Sequence, residues 1–243
     1  MKITINGKTC AAESGQFILA AARQNGIEIP SLCHHDALLG QACCRLCLVE
    51  VESGDGKSEV VASCVYPVRE ALKVTTNSER IKRLRRGILT LLLERAPQAG
   101  GDLAAYCREY GVTKDVVFSE TTDEKCILCG LCVKACEELG NSAIQTALRG
   151  VQKTVATPFN EPSPDCIGCA ACARVCPSEA IKVSEKGGKR AIWGKTFELV
   201  KCAACGKPFA TRQELEWLQK KILPVETSLA YCPQCRGRVM LNL

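Results

Sequence analysis

The segment CIGCAACARVCP at 166–177 places four thiols, Cys166, Cys169, Cys172 and Cys176, within eleven residues and follows them with Pro177. A second run, CILCGLCVKAC, repeats that spacing with Cys126, Cys129, Cys132 and Cys136. C-x2-C-x2-C-x3-C is the spacing of [4Fe-4S] clusters built in pairs. Three cysteines at x2 spacing wrap a tight loop around three corners of a cubane. The fourth, a helical turn further on, points toward the neighbouring centre. The spacing therefore assigns Cys126, Cys129, Cys132 and Cys176 to one cubane, and Cys166, Cys169, Cys172 and Cys136 to the other. Two zinc knuckles and scattered free thiols are the competing readings, and eight cysteines in matched runs argue against both. Glu137 stands where the second run has Pro177, which weakens the turn signal but removes no ligand. The small residues Gly130, Gly168, Ala170 and Ala171 allow backbone N–H groups close to sulfur.

Nineteen cysteines in 243 residues with only 5% aromatics point to metal-stapled modules rather than large apolar cores. The longest convincing apolar stretch is GILTLLL at 87–93, so no membrane span is expected. MKITINGKTC lacks the apolar segment of a signal peptide. A cytoplasmic location is expected, where clustered cysteines are metal ligands more often than disulfides.

The N-terminal third carries a different pattern, C-x10-C-x2-C-x16-C, on Cys33, Cys44, Cys47 and Cys64. KITING and KTCAAES alternate like two strands about the turn Asn6-Gly7. QFILAAARQNG then reads as a short helix closed by Gly26. Strand, hairpin, helix, cysteine loop and strand are the plan of a β-grasp [2Fe-2S] ferredoxin, although the spacing is not the plant-type one. Four thiolates suffice for such a centre, so His34 and His35 are assigned to the surface or to support. Cys43 adjoins Cys44; C-R-L-C supplies the x2 spacing and favours Cys44, leaving Cys43 and Cys10 unligated. GDGKSE at 54–59 lacks the first glycine of a phosphate loop, having Val51 there, and reads as a hairpin turn.

IPSLCHHDAL, CCRLCLVEV and CVYPV resemble the N-terminal [2Fe-2S] region of the large iron–sulfur subunit of respiratory complex I. The same region recurs in diaphorase subunits of NAD-linked hydrogenases, in NAD-dependent formate dehydrogenases and in electron-bifurcating hydrogenases. The likeness continues through CEELGNSAI and VQKTVATPFNEP and covers about residues 1–185. In that family an amphipathic helix leads to a further cubane held by one histidine and three cysteines. SERIKRLRRGILTLLLERAP supplies the helix, with Ile81, Leu84, Ile88, Leu91 and Leu92 expected on its buried face. Arg95 stands at the histidine position, and the following segment offers only Cys107, so that cluster is expected to be absent and Cys107 to be a buried helix residue. Relatives continue into a catalytic domain, whereas this chain ends about sixty residues after its second run.

The tail carries CAACGKPF at 202–209 and YCPQCRG at 231–237. Its paired knuckles, Cys202 with Cys205 and Cys232 with Cys235, read as a zinc ribbon or a rubredoxin-like iron site. A closed four-thiolate site needs no redox role, which favours Zn²⁺ over mononuclear iron. Thr211 to Glu214 form a capping box opening the helix RQELEWLQKKI.

The expected fold is α+β, in four parts: a [2Fe-2S] β-grasp domain over 1–77, a helical connector over 78–120, a bacterial-type 2[4Fe-4S] ferredoxin domain over 121–190 and a four-cysteine ribbon over 191–243. The formal charge of +6 and the string RIKRLRR at 80–86 raise nucleic acid as a partner. Four centres of about −2 each bring the loaded protein near −2, and the basic string is expected to be a solvated or docking face. The cofactors expected are one [2Fe-2S], two [4Fe-4S] and one Zn, with Fe as its alternative. The resemblance implies a non-catalytic electron-transfer subunit. Its partners are a flavin-containing NAD(P)H-binding subunit, a hydrogenase or formate dehydrogenase catalytic subunit, and soluble ferredoxin where bifurcation occurs. A freestanding polyferredoxin is the alternative.

Overall fold

The computed structural model describes residues 1–38, 40–52, 54, 56–113, 123–221 and 229–240. The chain divides into two compact units, Met1–Leu131 with Cys176–Ala180, and Cys132–Val175 with Ile181–Leu243.

In the first unit, Asn6 and Gly7 both take left-handed φ angles, 51° and 81°. Such a type I′ turn matches the twist of the strands it joins, β1 (Lys2–Ile5) and β2 (Lys8–Ala11), whose register pairs Ile5 with Lys8. Ile3 and Ile5 point inward, and the short helix α1 (Ile18–Gln24) buries Ile18, Leu19, Ala21 and Ala22 against them. Gly26, at φ 72°, lets the chain leave that helix. Strands β3 (Leu48–Glu52) and β4 (Ser58–Ala62) form a hairpin; of the expected 54–59 turn, Ser58 and Glu59 belong to β4 and Asp55 lies outside the described residues. Adding β5 (Lys73–Thr75) gives a sheet ordered β2-β1-β5-β3-β4, with only β1 and β5 parallel. The Asn6 side chain bonds Thr76 Oγ1 at 2.7 Å and accepts the Thr76 N–H at 2.9 Å, fastening the first turn to the last strand. Cys47 and Cys64 sit inside the apolar cluster this sheet forms with α1.

Ser78 caps α2 (Glu79–Arg95) by accepting the Ile81 N–H at 3.2 Å. The buried residues of this helix differ from the expected stripe. Ile81, Arg85 and Leu89 are buried, while Leu84 and Leu91 are exposed. An arginine takes a core position because it finds acceptors there. Its guanidinium donates to Leu46 O at 3.0 Å, Leu48 O at 2.9 Å and Tyr110 Oη at 3.0 Å. Leu46 and Leu48 flank Cys47, so one member of the supposedly solvated RIKRLRR string is a clasp on a cysteine loop. Helix α3 (Gly101–Glu109) follows and buries Cys107, whose thiol pKa is raised by that burial. The expected boundary at 120/121 lies outside the described residues.

The second unit holds most of α4 (Leu131–Glu138), a ribbon of β6 (Gln145–Ala147) and β7 (Thr154–Ala156), and the short α5 (Ala171–Arg174). Glu137, salt-bridged to Lys134 at 2.7 Å, continues α4, whereas Pro177 follows closely on the end of the much shorter α5. An antiparallel sheet follows, of β8 (Ser184–Lys186), β9 (Lys189–Ile192), β10 (Lys195–Lys201) and β11 (Pro208–Thr211). Strand β9 crosses residue 190, so this sheet spans the expected divide between ferredoxin domain and tail. Helices α6 (Arg212–Lys221) and α7 (Pro233–Met240) complete it. The capping box is reciprocal: Glu214 N–H donates to Thr211 Oγ1 at 3.0 Å and Thr211 N–H to Glu214 Oε2 at 3.4 Å. No helix among the described residues is long and apolar enough to cross a membrane.

Replacing Arg85 with Met strips two buried carbonyls of their donor and is expected to destabilise the first unit by about 2 to 4 kcal/mol. Leu84→Ala, on the exposed side of the same helix, should cost no more than about 0.5 kcal/mol. Denaturant titration of the two variants checks the contrast.

Candidate iron–sulfur and metal sites

Four groups of thiols stand out, and each is wrapped by backbone that leaves the ordinary helical or extended regions. In the first unit Cys33, Cys44, Cys47 and Cys64 are all buried. The Cys44 N–H donates to Cys33 Sγ at 3.3 Å, and the Leu32 N–H to Cys44 Sγ at 3.5 Å. Ala42 and Arg45 are left-handed, with φ of 52° and 59°, which swings the chain around Cys44. Hydrogen bonds from the Cys43 and Cys44 thiols hold Cys33 well below the usual thiol range, and the Cys64 thiol lowers Cys47 to about 6. Those same bonds, with burial, push Cys43, Cys44 and Cys64 up. Cys43 differs from its neighbour in direction. It is exposed where Cys44 is buried, and its sulfur lies 3.5 Å from the Cys129 carbonyl as well as within reach of Cys33. His34 Nδ1 lies 3.2 Å from the Arg23 guanidinium, and His35 Nδ1 accepts the Ala37 N–H. Cys10 is buried in the apolar core and donates to Lys8 O.

The same unit brings Cys126, Cys129 and Cys176 near enough that their charges act on one another. Burial raises the Cys126 thiol and pushes Cys129 up to about 12. The Leu128 N–H donates to Cys126 Sγ at 3.4 Å and the Ala180 N–H to Cys176 Sγ at 3.3 Å. Leu128 and Gly130 carry φ of 55° and 77°. Cys132, three residues beyond Cys129, lies in the first turn of α4.

The second unit repeats this scheme. Gly168 and Ala170, at φ 70° and 58°, occupy the places in CIGCA that Leu128 and Gly130 hold in CILCG. The Ala143 N–H donates to Cys136 Sγ at 3.2 Å, as the Ala180 N–H does to Cys176. Cys136, Cys166, Cys169 and Cys172 line one cavity, closed by apolar groups of Ile144, Ala170, Ile192 and Trp193 among others. Burial raises all three thiols of the downstream loop, Cys172 to about 11. A proton is costly to remove there unless a cation takes its place.

In the tail, Cys202, Cys205, Cys232 and Cys235 have sulfurs within 4.8 Å of one another. The Cys205 and Cys232 sulfurs are 3.9 Å apart, close to the ~3.8 Å edge of a tetrahedron with metal–sulfur bonds of about 2.3 Å. The Cys232 N–H donates to Cys202 Sγ at 3.3 Å and lowers that thiol to about 6. The donor set fits a four-coordinate thiolate metal.

Several contacts around these thiols carry no signal in the sequence. Arg85, Arg190, Lys195 and the Thr211 hydroxyl all donate to backbone carbonyls of cysteine loops, a role with no sequence period. Trp193 left a trace: I-W-G-K joins β9 to β10 through left-handed Trp193 and Gly194, and a tryptophan is out of place where turn chemistry calls for asparagine.

Residues 1–79 match the 2Fe-2S iron-sulfur cluster binding domain family, and residues 120–183 and 165–210 match 4Fe-4S dicluster domains. The chain is 33% identical over 204 residues to the NADPH-Fe(3+) oxidoreductase subunit alpha of Geobacter sulfurreducens, covering 74% of this chain and 24% of that protein. It is 32% identical over 211 residues to the NADP-reducing hydrogenase subunit HndD of Solidesulfovibrio fructosivorans, covering 74% and 36%. The mitochondrial NADH-ubiquinone oxidoreductase 78 kDa subunit of Candida albicans is 32% identical over 182 residues, covering 65% and 25%. The chain thus spans about a quarter to a third of these relatives. One chain of a solved NAD+-reducing [NiFe]-hydrogenase superposes with a TM-score of 0.64 at 25% identity, over 95% of this chain and 98% of that one.

A methyl group at Gly168 would lie 2.5 Å from the Phe197 ring, whereas one at Gly130 meets only the Gln41 side chain at 3.6 Å. Both glycines are left-handed, so the difference between Gly168→Ala and Gly130→Ala isolates the ring contact. Gly168→Ala is expected to lose more bound iron and more thermal stability, read by iron analysis and a melting curve. The matched domains, the gathered thiols and the relatives agree: this is an iron–sulfur protein homologous to the iron–sulfur regions of NADH- and NADPH-linked oxidoreductase and hydrogenase subunits.

Proposed function

We propose that the chain carries single electrons within a multisubunit NAD(P)H-linked oxidoreductase, and that its catalytic partner is a hydrogenase. In this reading Cys33, Cys44, Cys47 and Cys64 hold a [2Fe-2S] centre. Cys126, Cys129, Cys132 and Cys176 hold one [4Fe-4S] centre, and Cys166, Cys169, Cys172 and Cys136 the other. The tail thiols hold a structural Zn²⁺. When bound, thiolate-ligated clusters accept and release one electron at a time, whereas NAD(P)H delivers a two-electron hydride. A flavoprotein partner therefore has to split the pair, and a catalytic partner has to use what arrives.

The protein's own part is placement and tuning. Its loops turn N–H groups onto sulfur, exclude water from the thiols and fix where each ligand stands. The observation that most supports hydrogenase over formate dehydrogenase is the end-to-end likeness to a chain of a NAD+-reducing [NiFe]-hydrogenase, since it takes in the tail as well as the cluster loops. A cytoplasmic setting suits the reduced thiols this reading needs.

Metal analysis of protein purified without oxygen is expected to give about ten irons and one zinc per chain, and about fourteen irons would refute the cluster count. Cys136→Ser should abolish the EPR signal of the centre nested in 166–172 and spare that of 126–132; the reverse loss would refute the crossed ligand sets. Protein drawn by a tag from its native host should bring flavin-containing chains with it, and recovery of a fully loaded lone chain would count against the subunit reading.

A further inference from the structure

The polar contacts of the C-terminal sheet converge on the loop that carries Cys166 and Cys169. Lys195 Nζ donates to the carbonyls of Ser163, Pro164 and Cys166 at 3.2, 3.0 and 2.9 Å. Thr211 Oγ1 donates to Ile167 O at 2.5 Å, and Arg190 to Gly168 O at 2.8 Å. From the loop's own helix, Arg174 donates to Cys169 O at 2.8 Å. These carbonyls are turned outward onto side chains, most of them cationic. A peptide whose C=O faces outward presents the next N–H inward: with Ile167 O held by Thr211, the Gly168 N–H reaches the Cys166 sulfur.

Trp193 completes this arrangement. Its indole N–H donates to Cys172 Sγ at 3.5 Å. The backbone accepts a φ of 51° to put it there, an unfavourable conformation for a bulky residue. Strain of that kind is retained where the side chain's position matters. The upstream loop is surrounded differently. There the Glu124 carboxylate accepts the Lys125 and Cys126 N–H groups at 2.9 and 2.7 Å and Arg95 also acts on Cys126, whereas the carboxylate acting on Cys169 in the downstream loop, Glu214, lies 3.7 Å from the Arg190 guanidinium.

We propose that the Trp193 indole and the cations capping the 163–169 loop poise the downstream [4Fe-4S] centre at a more positive potential than the upstream one. The proposal rests on the reading that both sets of thiols hold such clusters. An added electron places negative charge on iron and sulfur; N–H donors and cations favour that reduced state, and a nearby carboxylate disfavours it. With the clusters bound, one electron delivered from the partner's reduced flavin would pass from the upstream centre, which would be oxidised, to the downstream centre, which would be reduced. No bond breaks and no proton moves. Trp193 is thus a positioning and tuning residue for electron flow.

The test is an EPR-monitored redox titration of the full-length loaded protein, with the two cubane signals assigned by Cys126→Ser and Cys136→Ser. In the unmutated protein the downstream signal should appear first as the potential is lowered. Trp193→Phe, which keeps an aromatic ring but removes the N–H, should move the downstream midpoint alone to lower potential. Protein labelled with ¹⁵N in the indole should show a ¹⁵N coupling on the reduced downstream signal, absent from the Phe variant. That coupling, measured in the unmutated protein, decides the matter even where the variant loses its cluster. An unmoved downstream midpoint in a fully loaded variant, no ¹⁵N coupling, or an upstream centre reduced first would each overturn the proposal. Unmutated protein with neither cubane signal would instead overturn the cluster reading beneath it.

Discussion

A buried sulfur that serves as a ligand needs N–H groups around it, and a backbone can supply them only by turning its carbonyls the other way. The upstream and downstream loops of this protein follow from that constraint. Leu128 with Gly130, and Gly168 with Ala170, take left-handed φ angles at matching places in the two repeats, and each kink redirects a peptide N–H toward a cysteine. Carbonyls displaced outward must then find donors or lose their hydrogen bonds to burial, at about 1 to 3 kcal/mol apiece. The repeats solve the first half of the problem alike and the second half separately.

Both units recruit buried arginine for it. Arg85 reaches Leu46 O and Leu48 O on either side of Cys47, and Arg190 reaches Gly168 O beside Cys169. A guanidinium suits the task because its planar fork serves two acceptors at once and stays charged. Arg190 also pairs with Glu185 at 2.7 Å and lies 3.7 Å from Glu214, so its charge is partly balanced. Burial raises the Glu214 pKa, and the same carboxylate receives the Thr211 N–H in the capping box. A helix cap and a cluster loop therefore share one network.

What the sequence disclosed was whatever repeats at a fixed spacing. The cysteine runs, the Asn6-Gly7 turn, the α1 stop at Gly26 and the Thr211–Glu214 box are all local patterns, and the structure contains each hairpin, helix and cap they imply. What it hid was long-range. Helix α2 buries Ile81, Arg85 and Leu89 because a carbonyl pair some forty residues away can accept from Arg85, and apolar periodicity has no means of registering that. Lys195 likewise bonds carbonyls some thirty residues away, which no local pattern marks. A divide is expected at residue 190, whereas hydrogen bonding between β8, β9 and β10 carries one sheet across it.

The tail then has a structural meaning beyond its own four thiols. Cys202 and Cys205 form the knuckle between β10 and β11, where the Cys202 N–H donates to Lys207 O and the Gly206 N–H to Cys202 O, both at 2.9 Å. Immediately past that knuckle, Thr211 uses both capacities of its hydroxyl: the oxygen accepts from Glu214 at the head of α6, and its proton goes to Ile167 O in the downstream loop. A hydroxyl has one proton to give, so fixing the start of α6 also fixes the direction in which that proton points. A metal held by Cys202, Cys205, Cys232 and Cys235 would restrain β10, β11 and the approach to α6 together, and those elements carry Lys195, Phe197 and Thr211 to the loop of Cys166 and Cys169. Through this geometry the tail acts as the outer wall of the downstream cluster loop rather than as a separate appendage.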